Sequence, residues 1–464
     1  MVVKRVIREN KDKKISKKGA LAPFFMLTIM TISDLYDLFL KFPIVTTDSR
    51  NVPINSIYFA LKGDKFDGNT FVKQALEKGA NYAVIDNNDF YIDAKTILVE
   101  NTLETLQELA QFHRRKLGIP IIAITGSNGK TTTKELINCV LSDKYNVLAT
   151  LGNLNNHIGV PLTLLSMTST TQIGIVEMGA NHPFEIERLC SIAEPDFGLI
   201  TNIGKAHLEG FGGFSGVIKT KKELYDFLIS NNGKIFYNSD NKLLTELLEK
   251  WDEKISYGEQ NPKDCRGKII SNDPFLEVEI ENISLEKEDQ KVRLRSNLVG
   301  AYNFENILAA ACVGLYFHVS LYEIKKAIEA YFPSNNRSQL TETIKNKLLL
   351  DCYNANPSST EAAILNFSKI QDQNKVIILG DMLELGEEAE TEHLNILKLL
   401  KNLDNTKVLL VGTNYISLSK SFEFIAFPKS SELYNWILQN PIQQSFILIK
   451  GSRGIQLEKI IDLL

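Results

Sequence analysis

Gly126-Ser-Asn-Gly-Lys-Thr-Thr-Thr133 packs two glycines, a lysine and a run of hydroxyls into one short stretch, a set of groups suited to holding a phosphate. Glycine lets the backbone turn its N–H groups onto an anion, Lys130 adds a mobile ammonium, and the Thr131 hydroxyl can ligate Mg2+. The spacing is tighter than the general P-loop pattern, which would put the first glycine at Ile124. Two more groups have the chemistry of a metal site for phosphoryl transfer. Glu177 ends the apolar run Ile173-Gly-Ile-Val-Glu177, and the end of a buried strand is where a P-loop enzyme holds its Mg2+. His207, in Lys205-Ala-His-Leu-Glu-Gly210, offers a neutral imidazole nitrogen as a second ligand.

The elements that must position these groups follow from the pattern around them. Ile121 to Thr125 is an apolar strand, and Leu136, Ile137, Val140 and Leu141 recur at helical spacing, so the glycine loop joins a buried strand to an amphipathic helix. Phe197 to Gly204 is a further strand, which brings His207 to the same strand-end region. Thr150 to Pro161 is a Gly/Asn-rich loop opening a helix, with Pro161 near its first turn and asparagine amides available to a ligand. Val217 to Tyr225 is the basic start of a helix, which by itself reads as a solvated positive face near phosphates.

Before this region, Ile32 to Leu40 has helical periodicity, Ser56 to Leu61 and Tyr82 to Asp86 read as strands, and Thr70 to Lys78 as the helix between them. Thr47-Asp-Ser-Arg50 and Gly63 to Gly68 put hydroxyl, guanidinium and backbone N–H groups on loops at strand ends, which suits a diphosphate or sugar nucleotide as well as plain turns. After it, Leu348 to Asp351, Lys375 to Leu379, Lys407 to Val411 and Phe446 to Ile449 alternate with helical patterns. That alternation predicts a doubly wound parallel sheet whose ligand face is the loops at the carboxyl ends of its strands. Ser358-Ser-Thr-Glu361 reads as a capping box, and Lys450 and Arg453 are expected to face an anionic group.

The whole is expected to be an α/β chain of three domains: 32–115, a small α/β domain suited to a diphosphate or a sugar nucleotide such as a UDP-sugar; 116–332, a central P-loop ATPase domain with a mostly parallel sheet; and 333–464, a Rossmann-like domain. Residues 1–31 form a basic and then apolar extension, expected either as a disordered tail or as residues upstream of a start at Met26 or Met30. Its apolar run, Ala20 to Ile32, is too short to span a bilayer, and no small-residue cleavage site follows. A net charge of -4 without a basic stripe in the body argues against nucleic acid as the principal partner. Cys139, Cys190, Cys265, Cys312 and Cys352 are scattered and lack C-x-x-C spacing, as reduced thiols of a cytoplasmic protein would be.

Taken in order, Thr125 to Thr132, Gly152-Asn-Leu-Asn-Asn156, Glu177-Met-Gly-Ala180, Thr201-Asn-Ile-Gly-Lys-Ala-His-Leu-Glu209, Asn297 to Asn306, Asp351-Cys-Tyr-Asn-Ala-Asn-Pro357, Gly380-Asp-Met-Leu-Glu-Leu-Gly386 and Lys450-Gly-Ser-Arg-Gly454 resemble the motif set of the Mur ligase family, from about Ile32 to the C-terminus. The resemblance implies an ATP- and Mg2+-dependent amide ligase, here one that joins D-alanyl-D-alanine to UDP-N-acetylmuramoyl-tripeptide in peptidoglycan synthesis. It implies that Thr125, Gly126, Ser127, Asn128, Gly129, Lys130, Thr131 and Thr132 cradle ATP, and that Asn303, Asn306, Arg337 and Asp351 approach the nucleotide. Ser49, Arg50, Asn155, Asn156, Tyr353, Asn354, Asn356, Lys450 and Arg453 are then expected to meet the substrates. Lys221 falls where the family carries a carbamylated lysine, with Glu223 two residues on, which would make the metal set Thr131, Glu177, His207 and the carbamate of Lys221. Tyr302 stands where the family often has histidine, and His157 where many members have an acid.

Catalysis would rest on Lys130, Lys221, His207 and Glu177. Forming an amide from a carboxylate needs a leaving group better than oxide, so ATP would first phosphorylate the acid, and three domains around one cleft would keep water from the acyl phosphate. The alternatives are another ligase of the same build, such as MurE or folylpolyglutamate synthase, and an ATP-binding switch that makes no product. The Asp351 to Pro357 run and the absence of Asp-Asn-Pro-Arg favour the dipeptide-adding branch, and the strand-end Glu177 and His207 favour an enzyme. The protein is expected to act as a monomer without membrane insertion, on a tripeptide ending in diaminopimelate or lysine.

Overall fold

The computed structural model describes residues 3–6, 27–284, 290–333 and 336–464. The chain forms two compact units, one of Met1–Ile121, Leu148–Met178 and Arg188–Pro195, the other of Ile122–Val147, Gly179–Glu187 and Asp196–Leu464.

In the first unit, Ile44–Thr46, Ser56–Phe59, Ala80–Ile85 and Thr96–Leu98 run parallel in one sheet. Tyr58, Val72, Ala83 and Ile85 share a core on it. The helix Ile32–Lys41 begins where the periodicity predicts, because Thr31 and Asp34 form a reciprocal capping box, and it buries Leu35, Tyr36 and Phe39. Within the extension expected over residues 1–31, Val3–Val6 and Leu27–Met30 are strands rather than tail, paired antiparallel and continuing the sheet beside Thr96–Leu98. Residues 1–2 and 7–26 of that extension lie outside the described residues. Ile173–Glu177 is a strand buried along its length, and Gly159–Leu165 is the short helix expected after the Asn-rich loop.

The second unit holds two sheets. In the first, Ile121–Thr125, Phe197–Ile200, Lys234–Asn238, Lys254–Gly258 and Cys265–Asn272 follow one another in parallel. Phe275–Asn282 and Lys291–Val299 extend it antiparallel, and their outer face is laced by pairs such as Arg293 to Glu279 at 2.8 Å. The helix Lys130–Ser142 packs on Asn303–Tyr316, where a Cβ at Gly314 would come within 2.5 Å of Val140. The second sheet has the order Gln339–Glu342, Lys347–Asp351, Phe446–Lys450, Lys375–Gly380, Thr406–Val411, Ile425–Phe427, parallel except for its first strand. This is the doubly wound sheet that the four apolar runs predict.

Two local expectations need correction. The helix that was to open with Ser358-Ser-Thr-Glu361 opens earlier: Asn356 is the N-cap, Ser359 completes the capping box, and Pro357 occupies the first turn. Proline there has no N–H to leave unpaired, so Asn-Pro is the stronger start signal. The basic helix start is not a solvated face throughout. Phe214–Ser230 buries Val217, Thr220, Lys221, Leu224 and Tyr225, and Lys221 is only 2% exposed.

Asp381 fastens the loops at the carboxyl edge of the second sheet. Buried beyond the strand Lys375–Gly380, its carboxylate accepts from Asn414 N (2.9 Å), Asn414 Nδ2 (3.1 Å) and Tyr415 N (3.0 Å). Gly412 is required beside it, since a Cβ there would lie 2.1 Å from the carboxyl carbon. Asp381→Ala strands buried donors and is expected to cost about 3 kcal/mol of unfolding free energy, measured by urea denaturation.

Candidate functional site

The phosphate loop is shaped by contacts from distant sequence. Gly126 has φ +143, and a Cβ there would meet Thr201 Oγ1 at 2.0 Å; Gly129 has φ +79, and a Cβ there would meet Asn306 Oδ1 at 2.5 Å. The tight spacing therefore has a steric reason: each glycine lies where a neighbouring side chain leaves no room for Cβ. The loop Thr201 to Gly204 clamps it. Ser127 N donates to Asn202 O (2.9 Å), Asn128 N to Asn202 Oδ1 (3.0 Å), and Thr201 Oγ1 to Asn128 O (2.6 Å), while Ser127 Oγ bonds both Gly204 O and Gly204 N at 2.9 Å. Lys130 Nζ folds back to donate to Gly126 O at 2.7 Å. Thr125 is buried at the end of its strand, Thr131 is buried at the helix start, and Thr132 is half-buried. Gly126→Ala is expected to destabilise the protein by more than about 1 kcal/mol, read from its urea midpoint, because φ and space both exclude the methyl.

Asn303 and Asn306, expected near the nucleotide, are engaged inside the protein. Thr133 Oγ1 donates to Asn306 Oδ1 (3.0 Å), Asn306 Nδ2 to Asn303 Oδ1 (2.9 Å), and Asn303 Nδ2 to Val299 O (2.9 Å). They hold the first turn of the phosphate-loop helix in place. Tyr302, which stands where the resemblance leads one to expect histidine, is half-buried and bonds Ser338 Oγ at 2.8 Å.

Lys221 is the most perturbed cation of the site. Burial, with the Lys130 ammonium adding repulsion, pushes its pKa down to about 7 against the pull of Glu223 and Glu185. An amine with that pKa is substantially uncharged near neutrality. Its Nζ lies 5.6 Å from the Phe211 ring centre, and His207 meets the same ring edge to face at 6.3 Å. Glu223, raised by burial, accepts from Phe184 N (2.8 Å) and Glu187 N (3.0 Å).

Loops of the second sheet reach the phosphate loop directly. Asn356 Nδ2 donates to Asn128 Oδ1 at 2.7 Å, and Lys205 N donates to Ser358 Oγ at 3.0 Å. Lys450, 2% exposed, is paired inside the protein with Asp351, Nζ to Oδ2 being 2.7 Å. Lys450 also donates to Asn354 O at 3.3 Å. The Arg337 guanidinium carbon lies 3.7 Å from the centre of the Tyr353 ring, and that of Arg453 5.6 Å from the same ring.

In the first unit, Asn155 Nδ2 donates to Glu177 Oε1 at 2.8 Å, and Glu177 N donates to Thr150 Oγ1 at 3.0 Å, so the carboxylate is oriented by the Asn-rich loop. Asn156 Oδ1 caps the following helix, accepting from Ile158 N and Gly159 N. Arg50 is exposed and paired with Asp48, whose carboxyl it holds down at about 2; Ser49 O accepts from Lys78 Nζ at 2.8 Å.

Among the described residues no group of three or more His, Cys, Asp and Glu could by itself hold a metal ion. The expected set is of another composition, with a threonine hydroxyl and a modified lysine beside one carboxylate and one imidazole. These oxygen and nitrogen donors suit a hard divalent cation such as Mg2+, and the low basicity of Lys221 fits the modification that would make it a ligand.

Sequence reasoning missed the clamp by Thr201, Asn202 and Gly204, and the contact of Glu384 with His207. No local signal marks either, because the partners are separated by long stretches of chain.

Three family domains match the chain in order: the Mur ligase family catalytic domain over 41–114, the Mur ligase middle domain over 124–314, and the Mur ligase glutamate ligase domain over 336–453. The chain is similar to the UDP-N-acetylmuramoyl-tripeptide--D-alanyl-D-alanine ligase of Bacillus subtilis, 32% identical over 435 residues, covering 90% of this chain and 92% of the relative. It is 33% identical over 424 residues to the protein of that name in Escherichia coli, covering 90% and 92%. The crystal structure of MurF from Acinetobacter baumannii superposes with a TM-score of 0.81 at 31% identity, covering 90% of this chain and 92% of that one. MurF ligase from Thermotoga maritima in complex with ADP does so with a TM-score of 0.78 at 25% identity, covering 92% and 97%. The chain belongs to the Mur ligase family.

Proposed function

We propose that the protein joins D-alanyl-D-alanine to UDP-N-acetylmuramoyl-tripeptide at the expense of ATP, giving UDP-N-acetylmuramoyl-pentapeptide, ADP and phosphate. The observation that carries this reading is the bond from Asn356 to Asn128, which ties the Asp351 to Pro357 loop to the phosphate loop. Relatives that bear the name of this activity match over nine-tenths of the chain.

In the first step a carboxylate oxygen of the tripeptide attacks the γ-phosphorus of ATP, the bond to the bridging oxygen breaks, and ADP leaves. In the second the dipeptide amine attacks the acyl carbon, a C–N bond forms, the C–O bond to phosphate breaks, and the amine gives up its proton. Lys130 and the N–H groups of the glycine loop stabilise charge on the transferring oxygens. Mg2+, when bound, neutralises that charge further; Thr131, His207 and the carbamate of Lys221 would hold it, with Glu177 as the ligand expected from its strand end. The carbamate forms when the uncharged Lys221 amine attacks CO2, making an N–C bond and releasing one proton.

All five cysteines are free, and among the described residues no helix is long and apolar enough to cross a membrane. Free thiols suit a reducing compartment, and we take the protein to be a cytoplasmic enzyme that works as a monomer. Incubation with ATP, Mg2+, D-alanyl-D-alanine and the tripeptide precursor, in its diaminopimelate and lysine forms, tests the assignment by mass spectrometry. A pentapeptide product is expected from one of the two forms. Product formed instead with a free amino acid as the amine would move the protein to another ligase of the family.

A further inference from the structure

His207 and Glu384 meet although both carry backbone that L-residues seldom adopt: φ is +52 at His207 and +64 at Glu384. Strain of this kind persists where surrounding contacts over-determine it, and it clusters at functional sites. The contacts are present here. Nδ1 of His207 is shielded from solvent and makes no aligned hydrogen bond in this arrangement, while a carboxylate oxygen of Glu384 lies against it, close enough to accept one after a small turn of the ring. Glu209 N donates to Glu384 O at 3.4 Å, and Gly386 has φ +56 with Glu209 Cβ 3.1 Å from where its own Cβ would be. The loop bearing Glu384 is fixed at three successive N–H groups: Asp381 N to Val411 O (2.8 Å), Met382 N to His393 Nε2 (3.1 Å), and Leu383 N to Ser452 Oγ (3.0 Å). A rigid loop of the C-terminal sheet therefore delivers one carboxylate to one nitrogen of a histidine rooted on the central sheet.

We propose that Glu384 is a positioning residue for His207: its carboxylate accepts the Nδ1–H bond, fixes that tautomer, and leaves the Nε2 lone pair for the metal ion. This rests on the reading of His207 as a metal ligand. A carboxylate behind a ligating imidazole sets ring orientation and raises ligand basicity, and its loss typically lowers metal affinity 10- to 100-fold. A further consequence is that metal affinity depends on the C-terminal loop being docked.

The test is Mn2+ binding to the full chain in the presence of ADP, followed by electron paramagnetic resonance, with thermal unfolding to confirm that each variant is folded. Glu384→Ala and His207→Ala are each expected to weaken Mn2+ binding about 10- to 100-fold, and the double variant to bind no more weakly than His207→Ala. Glu384→Gln, which keeps an acceptor oxygen, should retain most of the affinity. In 15N spectra of the metal-free protein, His207 should carry its proton on Nδ1 and lose that preference in Glu384→Ala. Wild-type affinity in Glu384→Ala beside weakened His207→Ala would overturn the proposal and leave the ligand reading intact, as would losses that simply add. Wild-type affinity in His207→Ala would overturn the ligand reading itself.

Discussion

Lys130→Ala is expected to lower kcat by about 10²- to 10³-fold, the usual effect of removing one preorganised stabiliser of transition-state charge. The ammonium sits on the glycine loop, donating to Gly126 O, and the loop is held independently by Thr201, Asn202 and Gly204. Removing it therefore leaves the fold and the backbone donors in place. The loss should fall on the chemical step, so steady-state kinetics with saturating ATP separates it from weakened binding. Lys130→Arg should not rescue, because a forked, planar guanidinium is no substitute for a compact ammonium. A Lys130→Ala protein with wild-type kcat would remove the P-loop from the mechanism.

Lys221→Ala is expected to lose activity on the order of 10²-fold or more, and to regain part of it when formate or acetate is added. The lysine is buried and its pKa is pushed down to about 7, so an appreciable fraction of its amine is uncharged near neutrality, the form that reacts with CO2. Truncation to alanine removes the carbamate and leaves space that a short carboxylate can fill. Lys221→Met fills that space without a carboxylate and should be neither active nor rescued. Under 13C-labelled CO2 the wild-type protein should give a carbamate carbon resonance that Lys221→Ala lacks. Wild-type activity in Lys221→Ala would sink the carbamate role.

The phosphate loop was legible because strand, glycines, lysine and helix are consecutive, so one window of sequence carries the whole device. Its glycine spacing made sense only in space, since Thr201 and Asn306 supply the atoms that exclude a Cβ. Lys221 illustrates a signal available but underused: it lies four residues after Val217 and three before Leu224, on the apolar stripe of Phe214–Ser230, although Lys219 and Lys222 beside it suggest a wet face. Lys450 and Asp351 were both read as ligand groups. They face each other because their strands are parallel neighbours in register, a fact that strand order decides and sequence does not print. The antiparallel strands Phe275–Asn282 and Lys291–Val299 went unread, their alternation lying in a charged stretch without glycine turns. Glu384 was visible only as one residue of a motif, since the contact it makes is with a histidine far upstream in the chain.

Phosphate release from ATP, with Mg2+ and UDP-N-acetylmuramoyl-tripeptide, measured with and without D-alanyl-D-alanine, tests the ligase assignment most directly. The expected result is release that depends on the dipeptide, with one phosphate for each UDP-N-acetylmuramoyl-pentapeptide detected by mass. Release indifferent to the dipeptide, with no pentapeptide formed, would contradict it.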